Sequence, residues 1–403
     1  MSTRVSEDEP ARGGTTLAPG DPRSRHGCGR FEGTGEGPLV VIVAGMHGNE
    51  PAGTTALDAV AAALAGGSIE VRGTIVALRG NVEACARGER LVDFDLNRLW
   101  TRPRLERMRE IPIDDCVGSE ERELWGLLRD VDRLLTEAPA RSKSTGSPIF
   151  IDLHTASAAS VPFAIGRNTL DHASLFRGLP IPIIAGLEER LDGLLLHYVL
   201  EQGARTLAVE TGPHEGESAA TELEAVVWWL LERSGAIARG SAPGGAEKFA
   251  MLERLGAGIP PIVEVFHRHD IVARDQFDME PDFRSFDRVE ANRLLAIDHG
   301  RSVRAPRRCR ILMPLYQEQG DDGFFLGLDR DRKYLFLSEW FRRMRLEWTL
   351  GLFPSVRREP GFADLWRVDR SDRAWVREAL RFFGYRDQVE LRSGAILASR
   401  IRR

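Results

Sequence analysis

The chain has 403 residues, of which 42% are apolar and 29% charged, and a formal net charge of −5; that is enough for about two domains around a sizeable core. Both signs of charge are scattered, which leaves no electrostatic case for a nucleic-acid or membrane-surface partner, and the lone lysines Lys143, Lys248 and Lys333 make the arginine excess read as coding bias. The four cysteines, Cys28, Cys85, Cys116 and Cys309, are far apart and form no Cys-x-x-Cys pair, so neither a thiolate zinc site nor a dense disulfide framework is expected, and a reducing cytoplasm fits.

Residues 1–30 are rich in Gly, Pro, Ser and charge without periodicity, which predicts a loose tail. The tail has no signal-peptide core, and no later run approaches the roughly 20 apolar residues of a membrane span. From Pro38 onward, apolar strand-like runs alternate with helix-like ones. "PLVVIVAG" reads as a strand, "PAGTTALDAVAAALAGG" as a helix, "IEVRGTIVALRG" as a strand, "EERELWGLLRDVDRLLTEA" as a helix and "PIFIDLHT" as a strand. "VPFAIG", a helix around Leu191 to Glu201, the strand "ARTLAVETG" and the helix "ATELEAVVWWLLERS" continue the series. Strands that are apolar almost throughout, alternating with helices, predict a sheet covered on both faces.

"GAIARGSAPGGAEKFA" reads as a linker, which gives an α/β domain over 31–240. "PIVEVFHRHDIV", "RCRILMPLY" and "GFFLGL" are short strands broken by Gly, Asp and Pro, so 241–345 is expected to be a smaller β-rich domain. Residues 346–403 are expected to form a partly helical extension.

Four segments carry polar residues where strands end, the place at which ligands gather in open α/β sheets. In "VVIVAGMHGNEPAG", His47 and Glu50 stand in a turn with two residues between them. In "IDLHT", His154 ends another buried strand with Asp152 just before it. Two histidines and a carboxylate with water in the fourth place make an open zinc site, and Asp152 is a candidate to orient an imidazole. "RLVDFDLNRLW" offers Arg90 as an electrophile for a carbonyl oxygen and the Asn97–Arg98 pair for a carboxylate. In "AVETGPHEG", Glu210 at a strand end is placed to take a proton from water beside a metal. Taken singly, each also reads as an ordinary turn, cap or solvated loop residue.

In their order, "GMHGNEPAG", "RGNVEACARGERLVDFDLNRLW", "IDLHTASA" and "AVETGPHEG", extended by "PLYQEQGDDGFFL", resemble the succinylglutamate desuccinylase/aspartoacylase family. The resemblance covers about Gly29 to Leu328. It implies a zinc-carboxypeptidase-like mixed sheet flanked by helices, with a smaller β-rich C-terminal domain and a helical tail. It also implies one Zn2+ per subunit held by His47, Glu50 and His154, Arg90 polarising the scissile carbonyl, Asn97 and Arg98 on the substrate carboxylate, and Glu210 as general base and acid. Tyr316 stands where the family's C-terminal domain brings a hydroxyl to the site.

Two departures bear on substrate. Where aspartoacylase has an arginine holding the aspartyl side chain, this chain has Leu200, with Arg205 closer to Glu210, and His214 replaces the glutamine after Gly-Pro. The function implied is a zinc-dependent amide hydrolase of N-acyl amino acids or related small acylated amines, in the cytoplasm, with a homo-oligomer left open. A carboxypeptidase-type peptidase and a catalytically silent metal-binding protein are the alternatives. His267 and His269 share one face of a predicted strand and read as a surface pair; they are left out of the site, as are His172, His197 and His299.

Overall fold

The computed structural model describes residues 20–21, 24–33, 37–137, 146–166, 175, 177–187, 191–362, 365–369, 374–385, 387–391, 393 and 395–399. Residues 1–19 of the expected tail and His172 lie outside them. Strand β1 (Gly27–Glu32) already begins inside the segment assigned to the tail and pairs antiparallel with β3, and His26 just before it is 2% exposed. The local composition is tail-like, but the edge of the sheet gives this stretch backbone partners that its own sequence does not advertise.

β2 (Leu39–Ala44), α1 (Pro51–Ala65), β3 (Thr74–Arg79), α2 (Val82–Arg87), α3 (Arg102–Glu110), α4 (Gly118–Glu137) and β4 (Ile149–Thr155) follow. β5 (Ser160–Ile165), β6 (Ile183–Ala185), α5 (Leu195–Glu201), β7 (Arg205–Gly212), α6 (Ala219–Ser234) and α7 (Gly245–Gly256) complete the α/β part. The stretch expected to be a linker thus contains a helix, because Leu252 packs into the core and Phe249 and Met251 lie against it.

β8 (Ile262–Asp270), β9 (Phe277–Met279), β10 (Arg288–Val289), β11 (Leu294–Asp298), β12 (Arg301–Arg304), β13 (Cys309–Leu312) and β14 (Asp322–Arg330) are the β-rich part. The main sheet runs β1-β3-β2-β4-β7-β5-β6-β8-β14-β13-β10. It is therefore continuous across the boundary placed at residue 240. β9, β11 and β12 form a small separate sheet.

Past β14 come α8 (Arg332–Arg343), β15 (Val356–Arg358), β16 (Leu365–Val368), α9 (Ala374–Phe382), β17 (Asp387–Glu390) and β18 (Ile396–Ser399). The last strands make an antiparallel sheet ordered β15-β16-β18-β17 over its own apolar cluster, with Trp366, Leu380 and Tyr385 buried. The architecture is a large mixed sheet flanked by helices, with smaller β-rich elements at the C-terminal end. Among the described residues no helix is long and apolar enough to cross a membrane.

Alternation along the central strands decides what each layer covers. Val40, Ile42, Ile149, Ile151, Leu207 and Val209 face one way, onto α1, α6 and α7. Val41, Val43 and Phe150 face the other way, onto α3, α4 and α5. Period-two geometry puts Asp152, His154, Ala208 and Glu210 on that second face, where the helical cover gives way to a cavity.

Candidate metal centre and active site

The loop after β2 is shaped by two glycines. Gly45 has φ +74, in the left-handed region, and a Cβ on Gly48 would stand 2.1 Å from the backbone of Ala84, so the loop lies directly on α2. Pro51 opens α1 and Glu50 is its N-cap, yet the Glu50 side chain makes no capping bond. It turns inward, to 2.8 Å from His47 Nδ1 and 3.1 Å from His154 Nδ1, and accepts a hydrogen bond from Thr155 N at 2.9 Å.

The parallel pairing of β2 with β4 and of β4 with β7 sets His154 level with Glu210, and both reach the mouth that the β2 loop overhangs. The ligand atoms of His47, Glu50 and His154 lie within 4.8 Å of one another. A tetrahedral zinc site with arms of about 2.0–2.1 Å has edges of roughly 3.3 Å, so this donor set fits such an ion.

The electrostatics agree with the fit. Burial pushes the Glu50 carboxyl up, but the two imidazoles facing it outweigh burial and hold it well below the usual carboxylate range. Burial lowers His154, yet Asp152 and Glu50 on either side raise it well above the ordinary imidazole value. Two buried carboxylates converging on one imidazole demand a cation between them, whether a proton or a metal ion.

Carboxylates also face the distal ring nitrogens. Asp95 Oδ1 lies 3.2 Å from His47 Nε2, and Asp152 Oδ2 lies 2.9 Å from His154 Nε2. Neither Asp152 oxygen receives an aligned hydrogen bond among the described residues, so the ion pair with His154 is its main compensation for burial. Burial pushes Asp95 up, but the His47 hydrogen bond and the charges of His47, Arg90 and Arg98 carry it far below its ordinary value. Such partners fix ring orientation and raise ligand basicity.

Glu210 is 8% exposed. Burial pushes its carboxyl up to about 7, the positive character of His154 opposing the shift. A carboxyl with that pKa exchanges a proton near neutrality. Arg90 lies over the ligand group, with Nη2 3.1 Å from His47 Nε2 and 3.3 Å from Asp95 Oδ2.

Asn97 is held by Asp95, whose Oδ1 accepts from Asn97 N at 2.8 Å, and Asn97 Oδ1 accepts from Leu195 N at 3.0 Å. Arg98 reaches toward the pocket mouth, 3.7 Å from Asp322 Oδ2. His47, Glu50, Arg90, Asn97, Arg98, His154 and Glu210 all line one cavity.

Tyr316 is not among them. Its hydroxyl accepts from Phe283 N at 2.9 Å and donates to Glu280 O at 2.8 Å, so the backbone of the β-rich part ties it down away from the cavity. Its neighbour Gln317 lines the cavity instead. Gln317 Oε1 lies 2.9 Å from His214 Nε2, and His214 Nδ1 lies 2.7 Å from Thr155 Oγ1. A donor on Nε2 and an acceptor at Nδ1 satisfy both contacts with one neutral tautomer. Asp95 carried no sequence signal beyond residue type, because its partner His47 lies far along the chain; His214 was marked only by replacing a glutamine, its partner Gln317 lying farther still, and His197 also lines the cavity wall. Arg205 points away, its guanidinium on Ser147 O at 3.0 Å. His269 stacks on Phe324 with centroids 5.0 Å apart and faces Asp298 at 3.0 Å, a structural arrangement outside the site.

The profile of the succinylglutamate desuccinylase/aspartoacylase catalytic domain matches residues 36–226. A protein of Prochlorococcus marinus (strain MIT 9313) named "Probable aspartoacylase" is 32% identical over 233 residues, 55% of this chain and 69% of that relative. The chain belongs to the succinylglutamate desuccinylase/aspartoacylase family. Succinylglutamate desuccinylase of Pseudomonas fluorescens (strain SBW25) is 41% identical over 64 residues, and the chain spans only 19% of its length.

Among solved structures, a succinylglutamate desuccinylase/aspartoacylase from Rhodobacter sphaeroides aligns with a TM-score of 0.52 at 19% identity, covering 74% of this chain and 87% of that one. Succinylglutamate desuccinylase of Vibrio cholerae aligns with a TM-score of 0.51 at 17% identity, over 73% and 82% respectively. These likenesses show that the family fold is retained at low identity.

Proposed function

We propose that this family member is a zinc-dependent deacylase that hydrolyses the amide bond of N-acyl amino acids or related small acylated amines. The observation that carries the reading is the buried His47, Glu50 and His154 group sharing its cavity with a carboxyl poised near neutrality, Glu210. A zinc ion held by that group would supply Lewis acidity and lower the pKa of water beside it.

Glu210 takes a proton from the attacking water and returns it to the leaving amine; burial suits it to both tasks because each protonation state is accessible near neutrality. Arg90 offers its guanidinium to the acyl oxygen as negative charge develops there, and loss of one such donor typically costs about 3 kcal/mol in the barrier. Asn97 and Arg98 grip the substrate carboxylate and keep the carbonyl in line. Asp95 and Asp152 hold the two imidazoles in place.

The test begins with metal analysis of the purified chain and a screen of N-acetyl, N-succinyl and N-formyl amino acids for release of free amine. One zinc per chain, lost in His154→Ala, is the expected result. Glu210→Gln should keep the metal and lose turnover by about 10²–10⁴-fold. Unimpaired hydrolysis by Glu210→Gln would overturn the mechanism, and zinc binding without amine release from any substrate would overturn the deacylase reading.

A further inference from the structure

One stretch of the cavity wall is apolar. Ile165, Leu187, Leu191, Leu194, Leu200 and Phe325 line it, and Ala208 lies between Asp152 and Ile165 in the sheet register. Ile165, Leu187 and Phe325 belong to a buried apolar cluster, with Leu191, Ala208 and Met313 packed against it. The wall is therefore the open side of a hydrophobic core. Among the described residues, Arg90 and Arg98 are the only arginines or lysines that line the cavity. Arg90 is engaged over the ligand group, whereas the contact of Arg98 with Asp322 is longer, at 3.7 Å, so Arg98 is the one placed to take an anion.

The anion anchor and the apolar wall are built as one unit. Leu195 N donates to Asn97 Oδ1 at 3.0 Å, Trp100 N donates to Gly193 O at 3.1 Å, and a Cβ on Gly193 would stand 2.2 Å from Arg98 O. The segment bearing Leu194 thus lies directly on the Asn97–Arg98 pair. A substrate whose carboxylate is held there carries its next substituent against leucines. The cavity measures about 170 Å3, room for on the order of a dozen heavy atoms at about 10–15 Å3 for each water-sized group.

The geometry points to an N-acyl amino acid with an apolar side chain, aliphatic or aromatic, as the substrate of this cavity, in place of an N-acyl aspartate or glutamate. This rests on the deacylase reading above. One carboxylate meets Arg98 and Asn97, while a second finds no further arginine or lysine among the described lining residues and would enter beside the leucines, which is costly; an apolar side chain gains from the same burial. Leu191, Leu194 and Leu200 are the specificity-determining residues.

Two measurements on the full chain test it. The zinc-loaded protein is assayed with N-acetylleucine, N-acetylphenylalanine, N-acetylaspartate and N-succinylglutamate. We expect kcat/KM for the apolar pair to exceed that for the acidic pair by on the order of 100-fold, and Leu200→Arg to shrink or reverse that ratio. Independently, thermal shift of the metal-free protein with free leucine, phenylalanine, aspartate and glutamate should show stabilisation by the apolar pair alone. Preference for the acidic pair in either measurement overturns the inference while leaving the deacylase reading intact. Stabilisation by leucine with no amine release from any substrate sinks the deacylase reading and the substrate with it, leaving only a pocket selective for apolar amino acids. No selective stabilisation and no apolar preference in turnover overturns the inference.

Discussion

Glu210 gains its near-neutral carboxyl from position rather than from sequence neighbours. Its pKa is raised from the ordinary 4.5 to about 7, so the folded metal-free protein binds a proton between those values that the unfolded chain has released. Stability from this group is complete below pH about 4.5 and is lost as pH rises through about 7, by up to about 3 kcal/mol. Denaturation of metal-stripped protein at a series of pH values should show that decline, and Glu210→Gln should flatten it and be the more stable form above pH 7. Asp95 acts through His47, so Asp95→Ala should weaken zinc binding by about 10–100-fold, read by competition with a chelator. His47, Glu50 and His154 were legible because each stands beside the end of a strand. Asp95 was not, since its contact with His47 requires the 90–98 loop to fold back across the mouth.

That loop is positioned by an element that the site motifs do not include. Glu120, in the first turn of α4 and fully buried, accepts from Asn81 Nδ2, Val92 N, Asp93 N and Phe94 N at 2.6–3.1 Å. One carboxylate therefore supplies the acceptors that the turn after Arg90 cannot find in a sheet or helix. Glu120→Gln sets an amide nitrogen against these donors. It should cost on the order of 2–3 kcal/mol, seen as a lower denaturation midpoint, and lower kcat/KM as Arg90 and Asn97 lose their support. The α4 helix was readable from its apolar period, but the role of Glu120 was not, because periodicity reports which face is buried and not which loop lies on its end. Gly48→Ala should also destabilise, because the added methyl meets the Ala84 backbone and neither side can yield cheaply.

Across the molecule, the main sheet passes from the α/β part into the β-rich part through β6, β8 and β14, and that second part supplies Met313, Leu315, Gln317 and Phe325 to the cavity. A fragment ending at residue 240, the boundary suggested by composition, would expose β6 as an edge and open the pocket. It should aggregate or bind a hydrophobic dye, and it should show no deacylase activity even with zinc. In the full chain, zinc should raise Tm in a concentration-dependent way and a chelator should reverse it, with His154→Ala showing neither effect. The sequence alone determined the alternating α/β order, the strand-end motifs and the family, because these are carried by local periodicity and by short ordered segments. Tertiary structure alone decided that β1 closes one edge, that Tyr316 is turned away, that Asp95 stands behind His47, and that leucines line the pocket. Those facts depend on contacts between residues tens to hundreds of positions apart, which no local pattern records.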